Sequence, residues 1–203
     1  SMSSKQRKGS VTTLAKELER RRKSKANEKL AGFGGDVKFL QTKLSAAYYK
    51  PLLFKSVILG MSGKIGYVTG LGDKVTQSQR FNLGGRDVRG FGSGGIGPRD
   101  AGSSDAVGGN KMYAGSFEVV SNLGLDKDTG VRWTVFTDFG SLWGTDYPSN
   151  VTKPNAANMR VSAGVGFFWN TAIGPLSFSW AKPLSKMAHD TPKTFQFNIG
   201  TRL

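Results

Sequence analysis

Gly84-Gly85-Arg86-Asp87-Val88-Arg89-Gly90-Phe91 lies in a long glycine-rich connection, and Gly95-Ile96-Gly97-Pro98-Arg99-Asp100 and Ala106-Val107-Gly108-Gly109-Asn110 follow in that same connection. The segments on either side set the fold class. Before the loop, Val57, Leu59, Met61, Ile65 and Tyr67 share one face, opposite Gly60, Ser62, Lys64 and Gly66. After it, Tyr113, Gly115, Phe117 and Val119 oppose Met112, Ala114, Ser116 and Glu118. Successive side chains of a strand point to opposite faces, so this period of two predicts strands with one apolar and one polar face.

Seven segments of this kind run from Asp36 onward. The first sets Leu40, Thr42, Leu44, Ala46 and Tyr48 against Gln41, Lys43 and Ser45. The fourth sets Val131, Trp133, Val135, Thr137 and Phe139 against Arg132, Thr134, Phe136 and Asp138. The fifth sets Val161, Ala163, Val165, Phe167 and Trp169 against Arg160, Ser162, Gly164, Gly166 and Asn170. Leu176, Phe178 and Trp180 oppose Ser177, Ser179 and Ala181 in the sixth; Phe195, Phe197, Ile199 and Leu203 oppose Gln196, Asn198 and Arg202 in the last. Several reach the roughly 9–11 residues that a tilted membrane strand needs. Tyr48, Tyr67 and Trp169 fall near strand ends, where an interfacial girdle would place them.

Connection lengths separate a membrane barrel from a soluble sandwich. Links 71–110, 141–158 and 185–193 are long, whereas 51–56, 122–130 and 171–174 are shorter. Long and short strictly alternate, as they do when one barrel end is periplasmic and the other extracellular. A sandwich has no reason to alternate this way. The expected fold is therefore all-β: an antiparallel meander with long loop 71–110 starting outside the cell and the C-terminus at the periplasmic face.

With its following motifs, Val88-Arg89-Gly90-Phe91 resembles the loop signature of the BamA family, alphaproteobacterial members most of all. The resemblance covers about residues 31–203. It implies the C-terminal seven strands of a transmembrane β-barrel, preceded in the family by further strands and POTRA domains. The implied function is folding and insertion of outer-membrane β-barrels without nucleotide hydrolysis, so no enzyme is expected. The implied partners are membrane lipids, client outer-membrane proteins and accessory lipoproteins. The implied location is the bacterial outer membrane, or alternatively the mitochondrial one.

The resemblance also assigns residues. Arg89 matches the family arginine that folds into the lumen, and Glu118 and Asp138 match its acidic partners. A planar guanidinium holds carboxylates with a direction that lysine lacks, which suits a strut for a long loop. The closing strand, with Phe195, Phe197, Ile199, Gly200 and Leu203, resembles the one carrying the family's assembly signal; Leu203 stands where a terminal aromatic is usual. Two-partner secretion or translocation barrels share the loop signature. A basic adaptor and a soluble β-sandwich binding module are alternatives of another class.

Composition bounds the remaining possibilities. The chain has 203 residues, 28 of them glycine, no cysteine, and net charge +15. Residues 1–29 hold ten Lys/Arg against three Glu, so residues 1–30 form a compositionally distinct leader. Ser1-Met2 is read as a cloning remnant. Val11, Leu14, Ala15 and Leu18 fall at helical spacing and Leu14–Lys29 is rich in helix formers, which predicts a partly helical or disordered tail. Anionic headgroups could attract it. Nucleic acid is not expected as a partner, since no aromatic interleaves the charges. Gly90-Phe91-Gly92-Ser93-Gly94-Gly95 matches a dinucleotide fingerprint formally but lacks the strand and helix that such a site needs. No cofactor, catalytic or metal site is expected; His189 is the sole histidine and is read as polar loop.

Overall fold

The computed structural model describes residues 25–31, 39–52, 57–122, 130–147, 151–152, 157–171 and 174–200. Along the chain, β1 (Lys25–Ala31), β2 (Phe39–Pro51) and β3 (Val57–Gly70) lead into the long loop, which contains two short strands, β4 (Gly90–Phe91) and β5 (Arg99–Asp100). Then come β6 (Lys111–Ser121), β7 (Val131–Trp143), the short β8 (Val151–Thr152), β9 (Arg160–Thr171), β10 (Gly174–Ser185), the short β11 (Pro192–Lys193) and β12 (Phe195–Ile199). The long strands form one eight-stranded sheet in the order β1-β2-β3-β6-β7-β9-β10-β12, each antiparallel to its neighbour. It is a meander, as the alternation predicts.

The sheet has one strand more than the seven expected. Lys25–Ala31 pairs with Phe39–Ser45 of β2, although the sequence places it in a helix-prone leader. The edge groups of β2 need hydrogen-bond partners, and that tertiary demand outweighs weak intrinsic helix propensity. The rest of the leader, residues 1–24, lies outside the described residues, as does Leu203. The edges of the described sheet are thus β1 and β12.

Register sorts the two faces into rows. Leu59, Val119, Val135, Val165, Trp180 and Phe195 lie side by side in one outward row. Ser62, Ser116, Asp138 and Ser162 lie side by side in an inward row. Exposure runs opposite to that of a water-soluble protein: Val135 is 62% exposed, whereas Asp138 and Ser162 are 0% exposed. Aromatic contacts continue across the outward face, from Trp133 to Phe167 at 5.0 Å and from Phe178 to Phe197 at 4.9 Å between ring centroids. Such cross-strand pairs stabilise a sheet locally, but they leave a broad apolar surface facing outward.

The apolar core lies inside, between the sheet and the long loop. Val68, Met112 and Leu142 on the sheet pack against Phe81, Val88 and Phe91 of the loop. Ordering a loop of this length costs conformational entropy, which burial of these side chains helps to offset. The long connections also bind one another. Gly90 and Phe91 pair with Lys193 and Pro192, and Arg99 and Asp100 pair with Thr152 and Val151.

Candidate functional site

The tip of the loop, 84–91, is a tight reversal. Phe91 O accepts the Gly85 N–H at 2.9 Å, and Gly84 O accepts the Asp87 N–H at 3.2 Å. Gly90 has φ +91°, and a Cβ there would stand 3.2 Å from Ser162 Cβ and 3.3 Å from Ala181 Cβ. Only glycine suits both that dihedral and that approach to the sheet.

This reversal presents Arg89 to the inward row. Its Nε and Nη2 donate to Asp138 Oδ2 and Oδ1, each at 2.7 Å, and its backbone N–H donates to Oδ2 at 2.9 Å. On one side of Asp138 in the row, Ser116 Oγ accepts from Nη2 at 3.0 Å. On the other side, the Ser162 hydroxyl donates to the Arg89 carbonyl. Three consecutive positions of one row, on β6, β7 and β9, therefore engage the side chain, N–H and C=O of a single loop residue. The guanidinium also stacks on Phe136, its Cζ 3.3 Å from the ring centroid.

Glu118 takes a lesser part. Its Oε2 is 3.6 Å from Arg89 Nη1, an ion pair without the fork geometry that Asp138 makes. Val88 and Phe91 are fully buried beside the clamp. Of the closing-strand residues, Phe195, Phe197 and Ile199 face outward and are exposed, while Gln196 between them donates to Phe91 O at 2.6 Å.

A second buried ion pair lies beside the first, and sequence reasoning missed it. Arg160 Nε and Nη2 donate to Asp190 Oδ2 and Oδ1 at 3.0 and 3.1 Å, and Nη1 donates to Asn158 O at 2.7 Å. Asp190 Oδ2 also accepts the Met187 N–H at 2.7 Å. The available signal was Arg160 on the polar face beside a long connection containing an aspartate. The pair fixes segment 186–194, whose Thr191 carbonyl accepts the Gly92 N–H at 2.9 Å, so it supports the loop tip from behind. Asp190→Asn keeps the shape but removes the charge. Hydrogen bonds to charged groups contribute roughly 1.5–3 kcal/mol, so trypsin should cut at Lys186 and Lys193 about tenfold faster in this variant. Unchanged cleavage rates would mean the segment is held by other contacts.

Nearer the outer end, Asp146 accepts the Val75 N–H at 2.7 Å and the Asn110 amide at 2.9 Å, tying both ends of the long loop to the β7–β9 connection. Asp100 accepts the N–H groups of Ser103 and Gly102, which hold its carboxyl below the usual range.

A sheet that is apolar outward and polar and ion-paired inward is the wall of an outer-membrane-type β-barrel, the arrangement that lets strands face lipid while a lumen stays polar. No helix among the described residues is long and apolar enough to cross a membrane. Residues 19–203 match the Omp85 superfamily domain, and the chain belongs to that superfamily. It is 35% identical over 172 residues to the outer membrane protein assembly factor BamA of Neorickettsia risticii, covering 84% of this chain and 23% of that protein. It is 29% identical over 201 residues to BamA of Neisseria meningitidis serogroup B, covering 86% and 25%. The crystal structure of BamA from Haemophilus ducreyi lacking POTRA domains 1-3 superposes with a TM-score of 0.76 at 33% identity, covering 87% of this chain and 38% of that one. The chain thus spans about a quarter of the length of the curated relatives it matches.

Proposed function

We propose that this chain is the C-terminal portion of a bacterial outer-membrane barrel that folds and inserts other β-barrel proteins, and that the Arg89 clamp is the strut that keeps its long loop seated in the lumen. The observation that carries the reading is the seat itself. The loop signature of an assembly family sits on one inward row, with Asp138 at its centre. The partners are membrane lipid on the outward face, unfolded client barrels, and other members of an assembly complex. Long connections lie at the extracellular end and short ones at the periplasmic end. The work is positional, with no bond made or broken: a client strand adds to a sheet edge by backbone hydrogen bonding.

A soluble sandwich would turn its apolar rows inward, opposite to the exposure seen here. Nothing favours the secretion-barrel, adaptor or mitochondrial readings.

The test is Arg89→Ala and Arg89→Lys in the full-length protein, assayed for folding of a urea-unfolded eight-stranded client barrel in lipid vesicles. Loss of the clamp should slow client folding roughly tenfold, a barrier change of about 1.4 kcal/mol, with the barrel itself still formed; lysine, lacking the fork, should restore only part. Wild-type rates in both variants would remove the strut from the mechanism.

A further inference from the structure

Lys111 stands on the outward face of the sheet, at the end that carries the long connections. In register it pairs with Tyr67 on β3 and Trp143 on β7, so the three form one row. Tyr113 joins them, its ring 5.9 Å from that of Trp143. Lys111 is exposed, and its Nζ lies 5.8 Å from the Tyr67 ring centroid. A charge on a lipid-facing row is costly at the bilayer midplane and cheap among the headgroups, where the lysine stem lies on apolar surface while the ammonium stays in water. This row therefore marks the level at which hydrocarbon gives way to headgroups.

A second cation is brought to the same rim. Asp146 accepts the Val75 N–H and the Asn110 amide, so their chain neighbours Lys74 and Lys111 are drawn towards each other. Lys74 is exposed, its Nζ 4.8 Å from the ring centroid of Tyr147, which is itself exposed. Arg80 steadies that ring: it is buried, donates to the Val107 and Val75 carbonyls, and holds its Cζ 5.2 Å from the Tyr147 centroid. Asp146 is taken up by its two neutral donors, and Asp73 is exposed in the turn before Lys74. Among the described residues no carboxylate lies within ion-pair distance of Lys74 or Lys111.

We propose that Lys74 and Lys111, each seated against a tyrosine of the outer rim, bind the phosphate of a membrane lipid headgroup in the outer leaflet. The proposal rests on the barrel reading above, which places the long connections outside the cell. A phosphate monoester fits best, because two compact ammonium groups match a doubly charged anion that needs no planar fork. A zwitterionic headgroup carries a cation of its own beside the phosphate and fits less well. The rings of Tyr67, Tyr113 and Trp143 take the apolar shoulder of the lipid, as aromatics do at membrane interfaces. Lys74 and Lys111 stand at the two ends of the long loop. A lipid that both of them hold anchors both ends of that loop to the outer leaflet.

The test uses the full-length protein in phosphatidylcholine vesicles with a trace of phosphatidic acid that carries a photoreactive diazirine high on one acyl chain. Labelled residues are read by peptide mass spectrometry. A phosphatidylcholine probe with the same chains is the reference, and Trp169, exposed on the outward face at the short-connection end, is the internal control. Phosphatidic acid should label Tyr67, Tyr113 and Trp143 several times more than the reference does, with no such preference at Trp169. A basic residue near an anionic lipid surface is worth roughly fivefold in binding, so Lys74→Gln and Lys111→Gln should each cut the preference by about that factor, and Lys111→Arg should keep it. Should Lys111→Gln fail to insert, Lys74→Gln, which lies outside the sheet, carries the comparison. Equal labelling by the two probes, or a preference that survives Lys74→Gln and Lys111→Gln together, would overturn the site. Loss of the preference on adding inorganic phosphate would show that the site takes free phosphate, and would overturn the lipid assignment. Client folding is measured in the same vesicles. An absent preference with normal client folding strikes the lipid site alone, whereas a clear preference in a protein that folds no client strikes the assembly reading and leaves the site standing.

Discussion

Asp138→Ala is expected to destabilise the folded sheet and loop by roughly 3–5 kcal/mol, the cost of breaking one partner out of a buried ion pair. The Asp138 side chain is wholly enclosed and takes three hydrogen bonds from Arg89. With alanine there, the guanidinium stays pressed on Phe136, with Glu118 at 3.6 Å as its remaining carboxylate. Arg89→Ala should cost a similar amount, because it strands the carboxylate instead. The double variant should cost clearly less than the two singles together, since removing both charges leaves neither uncompensated. Urea unfolding in micelles, followed by tryptophan fluorescence, measures all three. Additive losses would show that the two side chains are held independently and that no clamp exists.

Much of this arrangement was legible in the sequence because alternation is a geometric consequence of strand backbone. Once Asp138 and Ser162 fell on the polar face, their inward direction followed, and the outward direction of Val135 and Val165 followed with it. The register, and hence the row Ser116, Asp138 and Ser162, required knowing where each strand pairs with the next. Sequence gave Glu118 and Asp138 equal weight as partners of Arg89. The structure ranks them, because Asp138 sits in the row that meets the loop tip while Glu118 reaches across from β6 beside Phe136.

The parts that sequence did not reveal are those that depend on how loops lie on the sheet. Arg160 and Asp190 are thirty residues apart and meet only because segment 186–194 folds back over β9. Nothing in the sequence singles out Arg86, and its reach to Ile199 depends on a reversal that Gly84 and Gly90 make possible. Lys25–Ala31 carries residues compatible with a helix, and its strand state comes from the edge of β2. Local propensity cannot register a partner that lies elsewhere in the chain.

The central claim is that the apolar rows face lipid and the polar rows face a lumen. The most direct measurement places a charge on each side of one strand. Val135 is exposed in the middle of an outward row; Thr134, next to it, points inward, and its buried hydroxyl has no hydrogen-bond partner among the described residues that replacement would sacrifice. Gly164 is unsuitable as the inward site, because a Cβ there would stand 2.2 Å from Trp180 O. Unfolding free energies of Val135→Arg and Thr134→Arg are to be compared in phospholipid vesicles. Val135→Arg should lose about 2–4 kcal/mol if the row lies near the bilayer midplane, and Thr134→Arg well under half of that. Equal penalties at the two positions, or a larger one at Thr134, would contradict the assignment of lipid and lumen faces.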